Sequence, residues 1–199
     1  MGNTNKLCEI DMLKVNEIFY SIQGEGQRAG TANIFIRLAG CDLTCGFCDT
    51  EFESYKKMNN DKLLEALKEY DCKNIIWTGG EPALQLTEEI LLYFGTQGYY
   101  QSIETNGSNK LPDGLDYVAL SPKVAEHVMK KNFVKVNELR YARHKGQEIP
   151  KPSIEADYYY LSPIFGEADQ ENILHCIKLI KENPEWRLSI QMHKLLKIL

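Results

Sequence analysis

Asn74-Ile75-Ile76-Trp77-Thr78-Gly79-Gly80-Glu81-Pro82 reads as a short strand that runs into a glycine turn. Its apolar part is brief enough for a buried strand, and the glycines punctuate it. Thr87 then caps a helix carrying Ile90, Leu91 and Phe94, which stops before Gly98. Strand, turn and helix together make one βα unit.

The same unit recurs on both sides. Leu13 to Ile22 and Asn33 to Leu38 are β-rich, and Ile34, Phe35 and Ile36 are apolar enough for burial on both faces. Gln23 to Gly30 between them is a glycine-rich loop. Asn60 or Asp61 can cap a helix with Leu63, Leu64, Leu67 and Tyr70 on one face. Further strands are expected at Tyr99 to Ile103, Tyr117 to Leu120, Val134 to Tyr141 and Tyr158 to Leu161, the last taking up the Tyr158-Tyr159-Tyr160 run. A helix from about Asp169 to Lys181 should bury Ile173, Leu174, Ile177 and Ile180, before a last strand at Trp186 to Gln191. Strands alternating with helices of this length indicate right-handed βαβ units and a largely parallel sheet. The expected class is α/β, an incomplete, partly open (β/α) barrel with a sheet of about six strands, shorter than the closed form of about 250 residues. No linker or internal repeat interrupts residues 1–199, which read as a single domain.

Composition narrows the function classes. The chain is 43% hydrophobic and 26% charged, values of a globular protein rather than a disordered or fibrous one. No run of apolar residues is long enough to span a membrane. The first residues carry no apolar signal segment, so a cytoplasmic location with reduced thiols is expected. A net charge of −5 argues against nucleic-acid partners and favours a small-molecule ligand.

The six cysteines divide unevenly. Cys8, Cys72 and Cys176 stand alone and read as packing or surface thiols. Cys41, Cys45 and Cys48 form a C-x3-C-x2-C cluster. A structural zinc site or a ferredoxin-type cluster would call for four ligands, and no second knuckle exists. Three thiolates with no obvious fourth suggest a [4Fe–4S] cluster with one iron open to another ligand.

Polar motifs repeatedly follow strands: Thr78 to Pro82, Glu104-Thr105-Asn106-Gly107 and Ser121-Pro122-Lys123. Ligands of parallel α/β folds sit at the carboxyl ends of strands, so these motifs and the cysteine cluster should converge on one rim. Taken singly, Gly79 to Pro82 and Asn106-Gly107 are equally ordinary turns. His127, His144 and His175 show no ligand spacing, and Trp77 reads as core.

Cys41-x3-Cys45-x2-Cys48, with Phe47 before the last cysteine, resembles the signature of the radical S-adenosylmethionine (SAM) enzymes, and Gly79-Gly80-Glu81-Pro82 resembles their GGEP motif. Six ordered segments narrow the resemblance to the 7-carboxy-7-deazaguanine synthase family. They are Phe19 to Gly26, Phe35 to Cys41, Cys48-Asp49-Thr50, Glu104 to Gly107, Ser121 to Lys123 and Gln191-Met192-His193-Lys194.

That resemblance implies cleavage of SAM at a [4Fe–4S] cluster. The radical so formed contracts the ring of 6-carboxy-5,6,7,8-tetrahydropterin to 7-carboxy-7-deazaguanine, with loss of ammonia and help from Mg²⁺, on the route to queuosine. It places Cys41, Cys45 and Cys48 on the cluster and Thr50 on Mg²⁺. Phe47, Gly79, Gly80, Glu81, Glu104, Ser121, Lys123, Ser162, Pro163, Ile164 and Phe165 would meet SAM. Ile22, Gln23, Gly24, Glu25, Arg37, Thr78, His193 and the terminal carboxylate of Leu199 would meet the pterin. Glu81 offers a carboxylate to the SAM ammonium, and Arg37 a bidentate fork to the substrate carboxylate. A flavodoxin- or ferredoxin-type electron donor and a homodimer are implied too. Two other readings stay open: an activating enzyme for a glycyl-radical partner protein, and an electron-transfer module with Cys72 as fourth cluster ligand.

Overall fold

Residues 12–46, 48, 50–166 and 169–198 are described by the computed structural model. Phe47 and Leu199, together with Cys8, lie outside them. The strands are β1 (Leu13–Ile22), β2 (Ala32–Leu38), β3 (Lys56–Met58), β4 (Asn74–Gly79), β5 (Tyr100–Thr105), β6 (Tyr117–Leu120), β7 (Lys135–Arg143), β8 (Glu155–Pro163) and β9 (Trp186–Leu188). The helices are α1 (Asn60–Leu67), α2 (Glu88–Thr96), α3 (Glu126–Asn132), α4 (Asp169–Glu182) and α5 (Met192–Leu196). All nine strands join one sheet in the order β3-β1-β2-β4-β5-β6-β7-β8-β9. Pairing is parallel from β2 through to β9, while β1 runs antiparallel to both β2 and β3. The sheet is open, with β3 and β9 as its edges.

The α/β open sheet is the expected one, but it is larger than the six or so strands anticipated. Eight of the nine strands fall where strands are expected, and the unexpected one is β3. A loop with no crossover helix joins β1 to β2, so that pair must be antiparallel. The edge strand β3 is a three-residue Lys-Lys-Met segment without a hydrophobic signal of its own.

One face of the sheet packs against helices. Ile34, Ile36, Leu38, Ile75, Trp77 and Ile103 meet Leu63 and Leu67 of α1 and Ile90, Leu91 and Phe94 of α2. Trp77 is fully buried, and its indole N–H donates to Gln101 Oε1 at 3.1 Å. Leu120, Leu139, Tyr141, Leu161 and Trp186 form a second core with Met129 of α3 and Cys176 of α4. Strand side chains alternate between faces, so the opposite face carries Asn33, Phe35, Arg37, Thr78, Ser102, Glu104, Glu138 and Arg140.

Local signals hold at several helix ends. Thr87 Oγ1 accepts from Ile90 N, as a cap should. In α1 the cap is Asn59 rather than Asn60 or Asp61, because Asn59 Oδ1 accepts from Lys62 N. In α4 the buried face is rotated from the expected one. Asn172 and Cys176 are buried, whereas Leu174 and Ile177 are exposed. Asn172 accepts from Lys145 N and donates to Ile164 O, and these two bonds fix the helix rotation. The short α3 and α5 carry too few apolar residues to announce themselves.

Candidate active site

The strand β1 changes face halfway along. Leu13 and Val15 of β1 belong to the core under the helices. A register shift follows between Val15 and Glu17, and beyond it Glu17 stands opposite Arg37 and Phe19 opposite Phe35. The irregularity at Asn16 acts as a bulge that sends Glu17 and Phe19 to the other face. Asn16 Nδ2 then donates to Glu51 Oε2 and to the carbonyl and hydroxyl of Ser54.

Three turns at the carboxyl ends of the strands lock together. Gly80 N donates to Leu38 O and Glu81 N to Gly40 O, which ties the Thr78–Pro82 turn to the stem of the cysteine loop. The approach is so close that a Cβ on Gly79 would overlap Leu38 O and one on Gly80 would overlap Gly40 O. Gly79 also sits at φ +134°, a conformation L residues rarely adopt. Glu81, expected at SAM, is wholly buried, and its carboxylate accepts from Ala83 N, Thr105 Oγ1 and Asn106 N. Burial pushes its pKa up, partly offset by those bonds. Its work is to hold the Glu104–Gly107 turn against the Thr78–Pro82 turn. Asn106 in turn donates to Asp42 Oδ1 at 3.2 Å and toward Cys41 Sγ at 3.9 Å.

Cys41, Cys45 and Cys48 are all free thiols on this loop, and Cys48 N closes a turn on Cys45 O. Among the described residues no three His, Cys, Asp or Glu side chains gather around one point as a single ion would require. A four-iron cluster makes no such demand, because each thiolate takes its own iron. With a donor N–H beside Cys41 Sγ, the residues present fit that group. Cys72 sits at the other end of the sheet, where its Sγ accepts from Asn74 N at the start of β4. It is in no position to be a fourth ligand.

Beside the turns opens a pocket of about 710 Å³. Ile22, Gln23, Gly24, Glu25, Arg37, Thr50, Thr78, Gly79, Glu104 and His193 all line it, so the described residues expected at the pterin are together, with Thr50 among them. Gly24 and α5 are in close contact: Met192 N donates to Gly24 O, and a Cβ on Gly24 would press on His193. Residue reading missed Asn16, Glu17, Phe19, Phe35, Glu51 and Ser54 as site residues, and Gln191, Lys194 and Ile198 of the C-terminal segment join them in the wall. Phe19 and Phe35 stack with centroids 4.8 Å apart, and the Arg37 guanidinium lies 5.6 Å from the Phe19 ring. Arg37 Nε is also 3.4 Å from Glu17 Oε2.

Glu104 falls among the substrate candidates rather than only at the cofactor. It accepts from Gln23 Nε2 at 3.1 Å, Thr78 Oγ1 at 3.1 Å and Arg140 Nη2 at 2.7 Å. Burial alone would raise its pKa, but the Arg140 charge and these donors hold it below the ordinary value. Lys123 donates to Ser121 Oγ at 2.7 Å, and burial pulls its pKa down. Ser162 and Pro163 end β8 beside Ala142 and Arg143 of β7, and Ile164 N donates to Arg143 O. Phe165 borders a second hollow of about 390 Å³ with Gly166, Asp169, Lys194 and Leu195.

The radical SAM superfamily model matches residues 35–184. A 7-carboxy-7-deazaguanine synthase of Bacteroides thetaiotaomicron is 37% identical over 188 residues, covering 94% of this chain and 99% of that relative. This chain belongs to the 7-carboxy-7-deazaguanine synthase family of the radical SAM superfamily. Another family member, from Haemophilus influenzae, is 38% identical over 196 residues, covering 92% of each chain. In fold, the chain is similar to a crystal structure of QueE from Escherichia coli, with a TM-score of 0.72 at 23% identity over 92% of this chain and 95% of that one. The family is one of enzymes, and its superfamily implies a [4Fe–4S] cluster and SAM. Among the described residues no helix is long and apolar enough to cross a membrane.

Proposed function

We propose that this chain, as one domain, converts 6-carboxy-5,6,7,8-tetrahydropterin to 7-carboxy-7-deazaguanine with release of ammonia. The observation that carries the reading is the convergence of Gln23, Glu25, Arg37, Thr78, Glu104 and His193 on one pocket next to the cysteine loop. Cys41, Cys45 and Cys48 would hold the [4Fe–4S] cluster, which would supply an electron for the reductive cleavage of SAM.

Around that chemistry the chain's own residues bind and orient. The Gly79–Gly80 backbone lets the methionine part of SAM approach closely, while Ser121, Lys123 and the Ser162–Phe165 segment flank the rest of it. Gln23 and Glu25 offer an amide and a carboxylate to the donor edge of the pterin. The Arg37 fork takes the substrate carboxylate, loosening its contact with Glu17 as it does so. Thr50 would supply one hydroxyl to Mg²⁺, an ion that would also need the substrate carboxylate because a neutral hydroxyl alone holds it poorly. A homodimer acting in the cytoplasm with a flavodoxin- or ferredoxin-type donor suits a chain with an open sheet and reduced thiols.

The test is anaerobic reconstitution with iron and sulfide, then incubation with the carboxytetrahydropterin, SAM, Mg²⁺ and a reductant. Mass spectrometry should detect the deazaguanine acid. An intact cluster that cleaves SAM but yields no such product sinks the assignment.

A further inference from the structure

β7 carries a buried charged pair directly behind two residues of the pocket wall, Glu25 and Glu104. Glu138 and Arg140 alternate with the core residues Leu139 and Tyr141, so both must point to the pocket side of the sheet. The Arg140 side chain is 4% exposed and meets three carboxylates from three different segments. Its Nε lies 2.7 Å from Glu138 Oε1, its Nη2 lies 2.7 Å from Glu104 Oε1, and its Nη1 pairs with Glu25 Oε2.

The three carboxylates are not equivalent. Glu138 is 2% exposed and accepts from Gln27 N and the Tyr117 hydroxyl, so it sits beside the guanidinium as a fixed charge, with no hydrogen bond from Arg140 Nε. The Glu25 and Glu104 side chains remain 18% and 28% exposed, and both residues line the pocket. Two carboxylates this close in a sheltered floor would repel, and one would take up a proton without a shared cation. A protonated carboxyl donates a hydrogen bond where the ligand's own N–H needs an acceptor. The two terminal nitrogens of the guanidinium point in fixed, separate directions, so one group donates to Glu25 and to Glu104 at once while the Glu138 charge lies beside it.

We propose that Arg140 is the positioning residue for pterin recognition: it fixes Glu25 and Glu104 as paired acceptors, and so selects heterocycles with an amino-amidine donor edge. This rests on the pterin reading above. The specificity follows from acceptor character. A heterocycle carrying an oxo group in place of the ring amino group would present an acceptor to an acceptor, and the site should reject it.

The test uses reconstituted holoenzyme carrying Arg140→Met or Arg140→Lys, with the carboxytetrahydropterin and its 2-oxo analogue as probes. Loss of one partner from a buried charged pair should raise the pterin KM about 30-fold or more in Arg140→Met. Iron content should stay unchanged, SAM affinity should fall much less than the pterin's because Glu104 alone reaches both ligands, and discrimination against the 2-oxo analogue should shrink. Arg140→Lys keeps the charge and should recover part of the affinity, but not the discrimination. Glu25→Gln added to Arg140→Met should cost less than it does alone, since both act through one contact. A folded, iron-loaded Arg140→Met enzyme with unchanged pterin KM overturns the proposal, as does a SAM affinity that falls in step with the pterin's. Should Arg140→Met not fold, undiminished discrimination in Arg140→Lys overturns it instead. Failure of the parent enzyme to bind or convert the pterin is a separate result, and it removes the reading on which the proposal rests.

Discussion

Gly80 shows how little room the cluster end of the sheet allows. Its N–H donates to Leu38 O, and an added Cβ would run into the Gly40 carbonyl. Gly80→Ala should therefore lower stability by about 1–3 kcal/mol, read as a lower urea midpoint, and weaken iron retention by displacing the cysteine-loop stem. Glu104 carries a pH dependence. Its pKa lies below the ordinary 4.5 in the folded protein, so its stabilising contribution is complete above that value. As pH falls below 4.5, the unfolded chain takes up the proton more readily and the contribution is lost. Melting temperatures of the apoprotein between pH 3 and 6 should fall on the acid side, and Glu104→Gln should flatten that limb. Glu104 itself was legible as a site residue from its motif. Its bond to Arg140 was not, because the two belong to different strands, β5 and β7.

At the scale of elements, the helix starts follow from single side chains. Thr87 caps α2, and Thr87→Ala should cost about 1 kcal/mol in chemical unfolding with no change in iron loading. β1 behaves differently. Its sequence reads as one strand, yet the bulge at Asn16 makes it two half-strands facing opposite sides. That switch lets Leu13 and Val15 stay in the core while Glu17 and Phe19 reach the pocket. The α4 face shows the same limit. Hydrophobicity points to Leu174 and Ile177, but the Asn172 bonds to Lys145 and Ile164 decide which side is buried.

Across the whole molecule, the open sheet leaves a gap between its edges, and the segment 23–31 lies against strands on the far side. Gly26 N donates to Ser189 Oγ, and Tyr160 and Arg187 both reach Gln27 Oε1. α5 adds to this closure through Met192 N and Gly24 O. A chain ending at Gln191 should accordingly load iron and bind SAM normally while its pterin KM rises, checked by steady-state kinetics beside calorimetry with SAM. Short-range chemistry within the sequence was enough to specify the strand–turn–helix repeat, the parallel α/β class, the three-cysteine loop and the polar turns at the strand ends. Each depends on residues only a few positions apart. The sheet's full width, the inward burial of Glu81, the face change in β1 and the Arg140 junction arise only when distant segments meet. Burial then makes their charges and hydrogen bonds depend on partners brought together by the fold, and no local pattern records those.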